Sequence, residues 1–166
     1  MKGKYLILGS NMGSRIMNLQ TAREKIAEHV GLVVRSSSIY QTEPWGYADQ
    51  APFLNQVLQV ETDLDALETL KTLLAIEKSI GRVRYGKWLE RIIDIDILYF
   101  EDQVINSEWL MVPHPGIPHR KFVLVPLCEL IPEEVHPFLK VSNRDLLKAT
   151  EDTLQVEKTS DTTETG

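Results

Sequence analysis

Residues 91–100 read R-I-I-D-I-D-I-L-Y-F, two aspartates inside the most apolar run of the chain. Isoleucine at 92, 93, 95 and 97, followed by Leu98, Tyr99 and Phe100, has the β-branched and aromatic content of a strand. Side chains alternate faces along a strand, so Asp94 and Asp96 share one face and Ile93, Ile95 and Ile97 the other. Two like charges so close raise each other's energy unless a cation or hydrogen-bond donors neutralise them. Magnesium, held by one or two carboxylates with its other positions left to water and phosphate, suits the pair. From D-I-D alone, a solvated strand face or an edge strand protected by charge suits it as well.

Outward from this strand, the pattern predicts strands at 4–8, 32–40 and 53–60, the first broken at Gly9-Ser10-Asn11. Apolar residues at Ile16, Leu19, Ile26 and Val30 predict a helix from Arg15 to His29, ended by Gly31. A second helix, through Leu67, Leu70, Leu74 and Glu77 to Ile80, is capped by Asp63 and closed by Gly81. T-E-P-W-G-Y-A-D-Q-A-P, 42–52, is a loop. Glu101-Asp102 turns the Asp-bearing strand into 103–110 as a hairpin, and short helical pieces follow near 120–129 and 143–148. The order β-α-β-β-α-β predicts an α+β fold with a ferredoxin-like βαββαβ core, an extra hairpin strand and short C-terminal helices. Residues 1–150 form one domain, and 151–166, with five acids and one lysine, form a disordered acidic tail.

A net charge of -6 disfavours a nucleic-acid binder, which needs a basic face for phosphates. No stretch reaches the roughly 20 apolar residues that span a bilayer, and the apolar run near the N-terminus is too short for a signal peptide. The single cysteine, Cys128, forms no intrachain disulfide and reads as a buried thiol. A cytoplasmic protein without membrane or nucleic-acid partners is expected.

Just before the aspartates, Arg82, Arg84, Lys87 and Arg91 face one acid, Glu90. Arginines hold phosphate oxygens bidentately and magnesium bridges neighbouring phosphates, so the cluster fits polyphosphate chemistry; a surface loop paired with nearby glutamates is the alternative. Gly81 and Gly86 lend the loop hinge character. No Walker A motif is present; G-S-N-M-G-S, 9–14, offers either backbone amides to an anion or a tight turn with Ser14 as helix cap. Trp45, Phe53, Trp88 and Phe122 fall in or beside loops, where with Thr42 and Asn55 they would stack on and read a flat heterocycle; each taken singly also fits ordinary packing. His114 has no partners at zinc spacing and with Arg120 can contact an anion, whereas His119 and His136 are incidental.

Together, R-I-I-D-I-D-I-L-Y-F, V-P-H-P-G-I-P-H-R-K-F, G-S-N, Y-Q-T-E-P-W-G, F-L-N and I-E-x-x-x-G-R-V-R resemble, in order, the 6-hydroxymethyl-7,8-dihydropterin pyrophosphokinase family over about residues 4–150. The resemblance implies pyrophosphoryl transfer from ATP to the pterin hydroxymethyl group, with AMP released. It implies two magnesium ions on Asp94 and Asp96, catalytic roles for Arg82 and Arg91, and triphosphate contacts from Arg84, His114 and Arg120. It also implies a pterin held between Phe53 and Phe122 and read by Thr42, Asn55 and the backbone of Glu43 and Trp45. Glu77, Ile97 and Trp88 would lie at the nucleotide, segments 43–52 and 81–90 would order on binding, and the enzyme would be a monomer or weak dimer. Where the family often has W-G-P-R, this chain has W-L-E-R, 88–91, and Glu43 stands where proline is frequent.

Two other classes fit parts of this pattern. Nucleotidyltransferases also pair a Gly-Ser turn with D-x-D, but close together in sequence, whereas Ser10 and Asp94 are far apart here. A ferredoxin-like ligand sensor would bind without turnover and needs no metal pair.

Overall fold

A computed structural model describes residues 3–43, 51–81 and 92–159. The elements in chain order are β1 (Lys4–Ser10), α1 (Arg15–His29), β2 (Leu32–Ser36), β3 (Tyr40–Thr42), β4 (Phe53–Glu61), α2 (Ala66–Ile80), β5 (Asp94–Phe100), β6 (Ile105–Asn106), β7 (Met111–Val112), α3 (Lys121–Leu130), α4 (Asn143–Ala149) and β8 (Val156–Lys158). The main sheet runs β5-β1-β4-β3-β8, with β2 also on β4, and its pairs are antiparallel. Helices cover both faces. Leu19, Ile26, Leu73 and Ile76 of α1 and α2 pack with Leu6, Leu8, Leu54 and Leu58 on one side. On the other, Val123, Leu124 and Leu127 of α3 and Leu146 of α4 pack with Tyr5, Ile7 and Val57. Among the described residues no helix is long and apolar enough to cross a membrane.

Helix α1 has the expected bounds, with Val30 rather than Gly31 as its C-cap. Helix α2 ends as expected at Gly81, whose φ of 112° suits a residue without Cβ. Its cap is Asp65, not Asp63. The Asp65 carboxylate accepts from the Glu68 amide at 2.8 Å while Glu68 accepts from the Asp65 amide at 2.9 Å, so two end amides are satisfied reciprocally.

Three expectations about strands are corrected. The predicted strand at 32–40 is two strands, interrupted where Ser37 turns its hydroxyl to accept the Val57 amide at 2.9 Å. The 103–110 segment does not pair back onto β5: the hairpin is β6 with β7, Ile105 opposite Val112. The acidic stretch from Glu151 does not begin a structureless tail, because Val156–Lys158 adds a strand to the outer edge of β3.

Strand β5 alternates as predicted at its start: Ile93, Ile95 and Ile97 are buried against α1 and α2, while Asp94 and Asp96 are half-exposed on the opposite face. A bulge then intervenes, since Leu6 pairs with Ile97 but Tyr5 with Tyr99. Leu98 is the extra residue, and both it and Tyr99 enter the core under α3 and α4.

Candidate active site

Antiparallel register assembles the site in rows on the α3/α4 face. One row runs Tyr40, Asn55, Gly9, Asp94 across four strands, and the next runs Val57, Ile7, Asp96. Thr42 lies opposite Phe53 at the start of β4. Above these rows the N-terminal turn of α3 brings in Arg120 and Phe122, and the segment after β7 brings in His114. The result is an open cleft lined by Ile7, Gly9, Asp94 and Asp96 of the rows, by Asn55, Thr42 and Phe53, by Arg120, Phe122 and His114, and by Glu43, Leu98 and Val123.

Glycine at position 9 is a condition of this packing. A Cβ there would stand 2.8 Å from Asn55 Oδ1 and 3.6 Å from Phe53 Cδ1. G-S-N is therefore not a strand break: β1 continues through Ser10. Asn11 donates from Nδ2 to the Ala51 carbonyl at 3.2 Å, and Arg15 donates to the Pro52 carbonyl at 2.8 Å. Both bonds fix the backbone that enters Phe53. Ser14 occupies the helix N-cap position, with no hydrogen bond from its side chain to the helix end.

Asn55 is buried and donates from Nδ2 to Thr42 Oγ1 at 2.9 Å, which orients its amide toward the cleft wall. Arg120 lies over the Phe122 ring, 5.9 Å from its centroid, a cation–π geometry. The aromatic and the guanidinium from the N-terminal turn of α3 and the amide from β4 thus converge on one hollow.

His114 Nδ1 accepts the Gly116 amide at 2.9 Å, which leaves the proton of a neutral imidazole on Nε2. Nε2 is 3.8 Å from Asp96 Oδ2, beyond hydrogen-bond range, with the side chains 21% and 42% exposed. Burial first, and then the Arg120 charge, push the histidine down to about 4 against the upward pull of Asp94. At neutral pH the site therefore presents an uncharged N–H donor beside two carboxylates and a guanidinium.

Glu77 and Ile97 do not line this cleft. Ile97 is in the core beneath α1 and α2. Glu77 is 2% exposed on α2, and its Oε2 accepts the Ile95 amide at 2.8 Å, between the two aspartates. The carboxylate thereby holds the backbone that carries Asp94 and Asp96. His136 is structural: buried, edge-on to Tyr99 at 5.7 Å, it accepts the amides of Phe138 and Leu139. His119, on a short 3-10 turn, is outside the cleft lining. Trp45, Arg82, Arg84, Lys87, Trp88, Glu90 and Arg91 lie outside the described residues, as do most of segments 43–52 and 81–90.

Sequence reasoning singles out Asp94, Asp96, His114, Arg120, Phe53, Phe122, Thr42, Glu43 and Asn55, and the structure gathers all nine around one cleft. Ile7, Gly9 as a spacer, Leu98 and Val123 are additional lining residues. Alternation along β1 would have put Ile7 and Gly9 on one face, but which face awaits strand pairing.

The 7,8-dihydro-6-hydroxymethylpterin-pyrophosphokinase family matches residues 5–132. The 2-amino-4-hydroxy-6-hydroxymethyldihydropteridine pyrophosphokinase of Aquifex aeolicus is 41% identical over 136 residues, 82% of this chain and 84% of the relative. That of Bacillus subtilis is 43% identical over 127 residues, 76% of each. A crystal structure of Plasmodium falciparum HPPK-DHPS has the same fold, with a TM-score of 0.70 at 20% identity. The similarity covers 89% of this chain and 43% of that one. The cleft, the family match and the bacterial relatives agree, and the chain belongs to the 7,8-dihydro-6-hydroxymethylpterin-pyrophosphokinase family.

Proposed function

We propose that this chain transfers a diphosphate from ATP to the hydroxymethyl oxygen of 6-hydroxymethyl-7,8-dihydropterin, giving the pterin diphosphate and AMP in folate biosynthesis. The observation that carries the proposal is the convergence of Asp94, Asp96, His114 and Arg120 with Phe53, Phe122, Thr42 and Asn55 in one cleft. One set suits a polyphosphate and the other a flat heterocycle.

The pterin ring lies between Phe53 and Phe122, and its edge meets Asn55, Thr42 and the backbone of Glu43 and Trp45. Asn55 is suited to this because its bond to Thr42 fixes which way the amide points before substrate arrives. His114 donates its Nε2 proton to a phosphate oxygen without adding charge, while Arg120 offsets the charge that grows as the bond to the leaving AMP lengthens. By family resemblance Arg82 and Arg91 serve the transferring group, Arg84 holds the triphosphate, and Trp88 borders the nucleotide, as does Ile97 through its backbone, its side chain being in the core. Glu77, also assigned to the nucleotide by resemblance, acts on the site through the Ile95 amide.

Two hard carboxylates on one face of a strand, with no thiolate beside them and open to solvent, fit magnesium. We assign two ions to Asp94 and Asp96, the residues that would hold them; the ions would supply positive charge to the phosphates. The residues' own part is alignment, which brings a large share of the rate in phosphoryl transfer.

We read the sheet order β5-β1-β4-β3 with its two covering helices as the ferredoxin-like split βαβ. Residues 1–150, with the segment that adds β8 to their sheet, constitute a single pyrophosphokinase domain, acting as a cytoplasmic monomer or weak dimer on small molecules. The test is direct: the purified protein with magnesium, ATP and hydroxymethyldihydropterin forms one AMP for each pterin consumed. ATP binding with no AMP formed would remove this reading.

A further inference from the structure

The segment 151–159 lies beyond the residues matched by the family, yet it is tied to two walls of the cleft. Helix α3 begins at Lys121 without a side-chain cap of its own. Asp152 supplies one from a distance: its Oδ2 accepts the Lys121 amide at 2.8 Å, and its Oδ1 accepts the Leu154 amide at 3.0 Å. A carboxylate at a helix N-terminus satisfies an end amide and complements the helix dipole. Lys121 sits between Arg120 and Phe122, which this turn contributes to the cleft together with Val123.

Four residues later the same segment joins the opposite wall. In β8, Val156 pairs with Thr42 and Lys158 with Tyr40, so β8 extends the rows that contain Phe53 and Asn55. The Thr159 amide donates to the Ile39 carbonyl at 2.9 Å. A carboxylate on α3 links the pieces: Glu129 accepts the Ser38 amide at 2.7 Å, the Ser38 hydroxyl at 2.6 Å and the Tyr40 hydroxyl at 3.1 Å, with Lys158 Nζ 3.7 Å away. Without β8, the three-residue strand β3 would be the outer edge of the sheet beside the cleft.

We infer that residues 151–159 are a brace that sets the spacing of the heterocycle site, with Asp152 a positioning residue for Arg120 and Phe122 and β8 a support for Thr42 and, through it, Asn55. This rests on the reading that the cleft between Phe53 and Phe122 holds the pterin. Stacking between two rings depends on their separation, so loosening either wall weakens pterin binding before it alters the chemistry.

The test uses full-length Asp152→Ala, Asp152→Asn and Thr159→Pro, assayed well below their melting temperatures. Asp152→Ala is expected to raise the KM for the pterin about fivefold to tenfold, the effect of a lost helix cap, with kcat changed less than twofold. Asp152→Asn, which keeps one acceptor oxygen, falls between it and the wild type. Thr159→Pro raises the same KM by removing both donors to the Ile39 carbonyl, the amide at 2.9 Å and the hydroxyl at 3.0 Å. A brace of purely structural importance would lower the melting temperature and leave this KM alone; that result in all three variants overturns the inference. Amide hydrogen exchange gives a readout independent of turnover, so an inactive wild type would count against the proposed reaction and not against the brace. Faster exchange in Asp152→Ala at 39–43 and 121–124 supports the brace, and unchanged exchange there overturns it.

Discussion

On the α1/α2 side of the sheet, Ile93, Ile95 and Ile97 pack with leucines of β1, β4 and two helices; on the α3/α4 side the intervening Asp94 and Asp96 open into a cleft. The same strands build both faces, under different requirements. The first face needs apolar volume, which many side chains supply with modest repacking. The second needs particular atoms in particular places, and it obtains them from register: Asn55, Gly9 and Asp94 align only because β4, β1 and β5 pair as they do. A slip of one residue in β5 would carry both aspartates into the core and isoleucines into the cleft. The apolar face thus anchors the pairing that makes the polar face chemically competent.

If that division holds, substitutions on the two sides of β5 separate activity from stability. The largest expected effect is from Asp94→Ala or Asp96→Ala. Each should lower kcat by about a hundredfold to a thousandfold, the range seen when a key electrostatic group is removed, and leave the melting temperature near that of the wild type. Both side chains are half-exposed on the cleft face and outside the apolar core, so their truncation opens no buried cavity. Steady-state AMP release with thermal denaturation on the same samples decides it; near-normal turnover in both variants would return the pair to a solvated strand face.

Ile95→Ala, one residue away, should do the reverse. Ile95 is 3% exposed, and truncating a buried isoleucine to alanine costs about 2–5 kcal/mol. Urea denaturation should show that loss, while the kcat of the folded fraction stays within severalfold of the wild type, because the backbone amide that meets Glu77 is retained. A stable but inactive Ile95→Ala protein would mean that the two faces are not separable in this way.

Much of this was legible in the sequence where periodicity is local. A period of two places Asp94 and Asp96 together, and 3.6 finds α1 and the end of α2. The α2 cap shows a weaker local signal: two aspartates, 63 and 65, precede the helix, and only the glutamate three residues beyond Asp65 completes a capping box. What local patterns miss is decided by pairing. Gly9 reads as a strand breaker until Asn55 is known to lie beside it, and then it is the residue that lets the strand pass. The stretch from Glu151 reads as disordered because composition averages over residues, whereas three strand residues and one aspartate suffice to attach it. Arg82, Arg84, Trp88 and Arg91 are legible as chemistry, though their residues lie outside those described.

Gly9→Ala sharpens the comparison most finely, since it adds a single methyl group to the polar face. Gly9 does not have a positive φ, so alanine meets no backbone strain, and the only conflict is the approach of 2.8 Å to Asn55 Oδ1. Backbone pairing through β1 limits how far the new Cβ can retreat, so Asn55 must turn. Its 2.9 Å bond to Thr42 then weakens, and the amide no longer points in one direction before the pterin binds. The expected result is a rise of about fivefold in the pterin KM, equivalent to about 1 kcal/mol, with the KM for ATP unchanged. A second substitution separates sterics from register: adding Asn55→Ser removes the obstructing oxygen, so the methyl at position 9 should have no further effect in that background. If Gly9→Ala instead disturbs both substrates equally, the rows have shifted as a unit, and the spacing at Asn55 is not what the glycine protects.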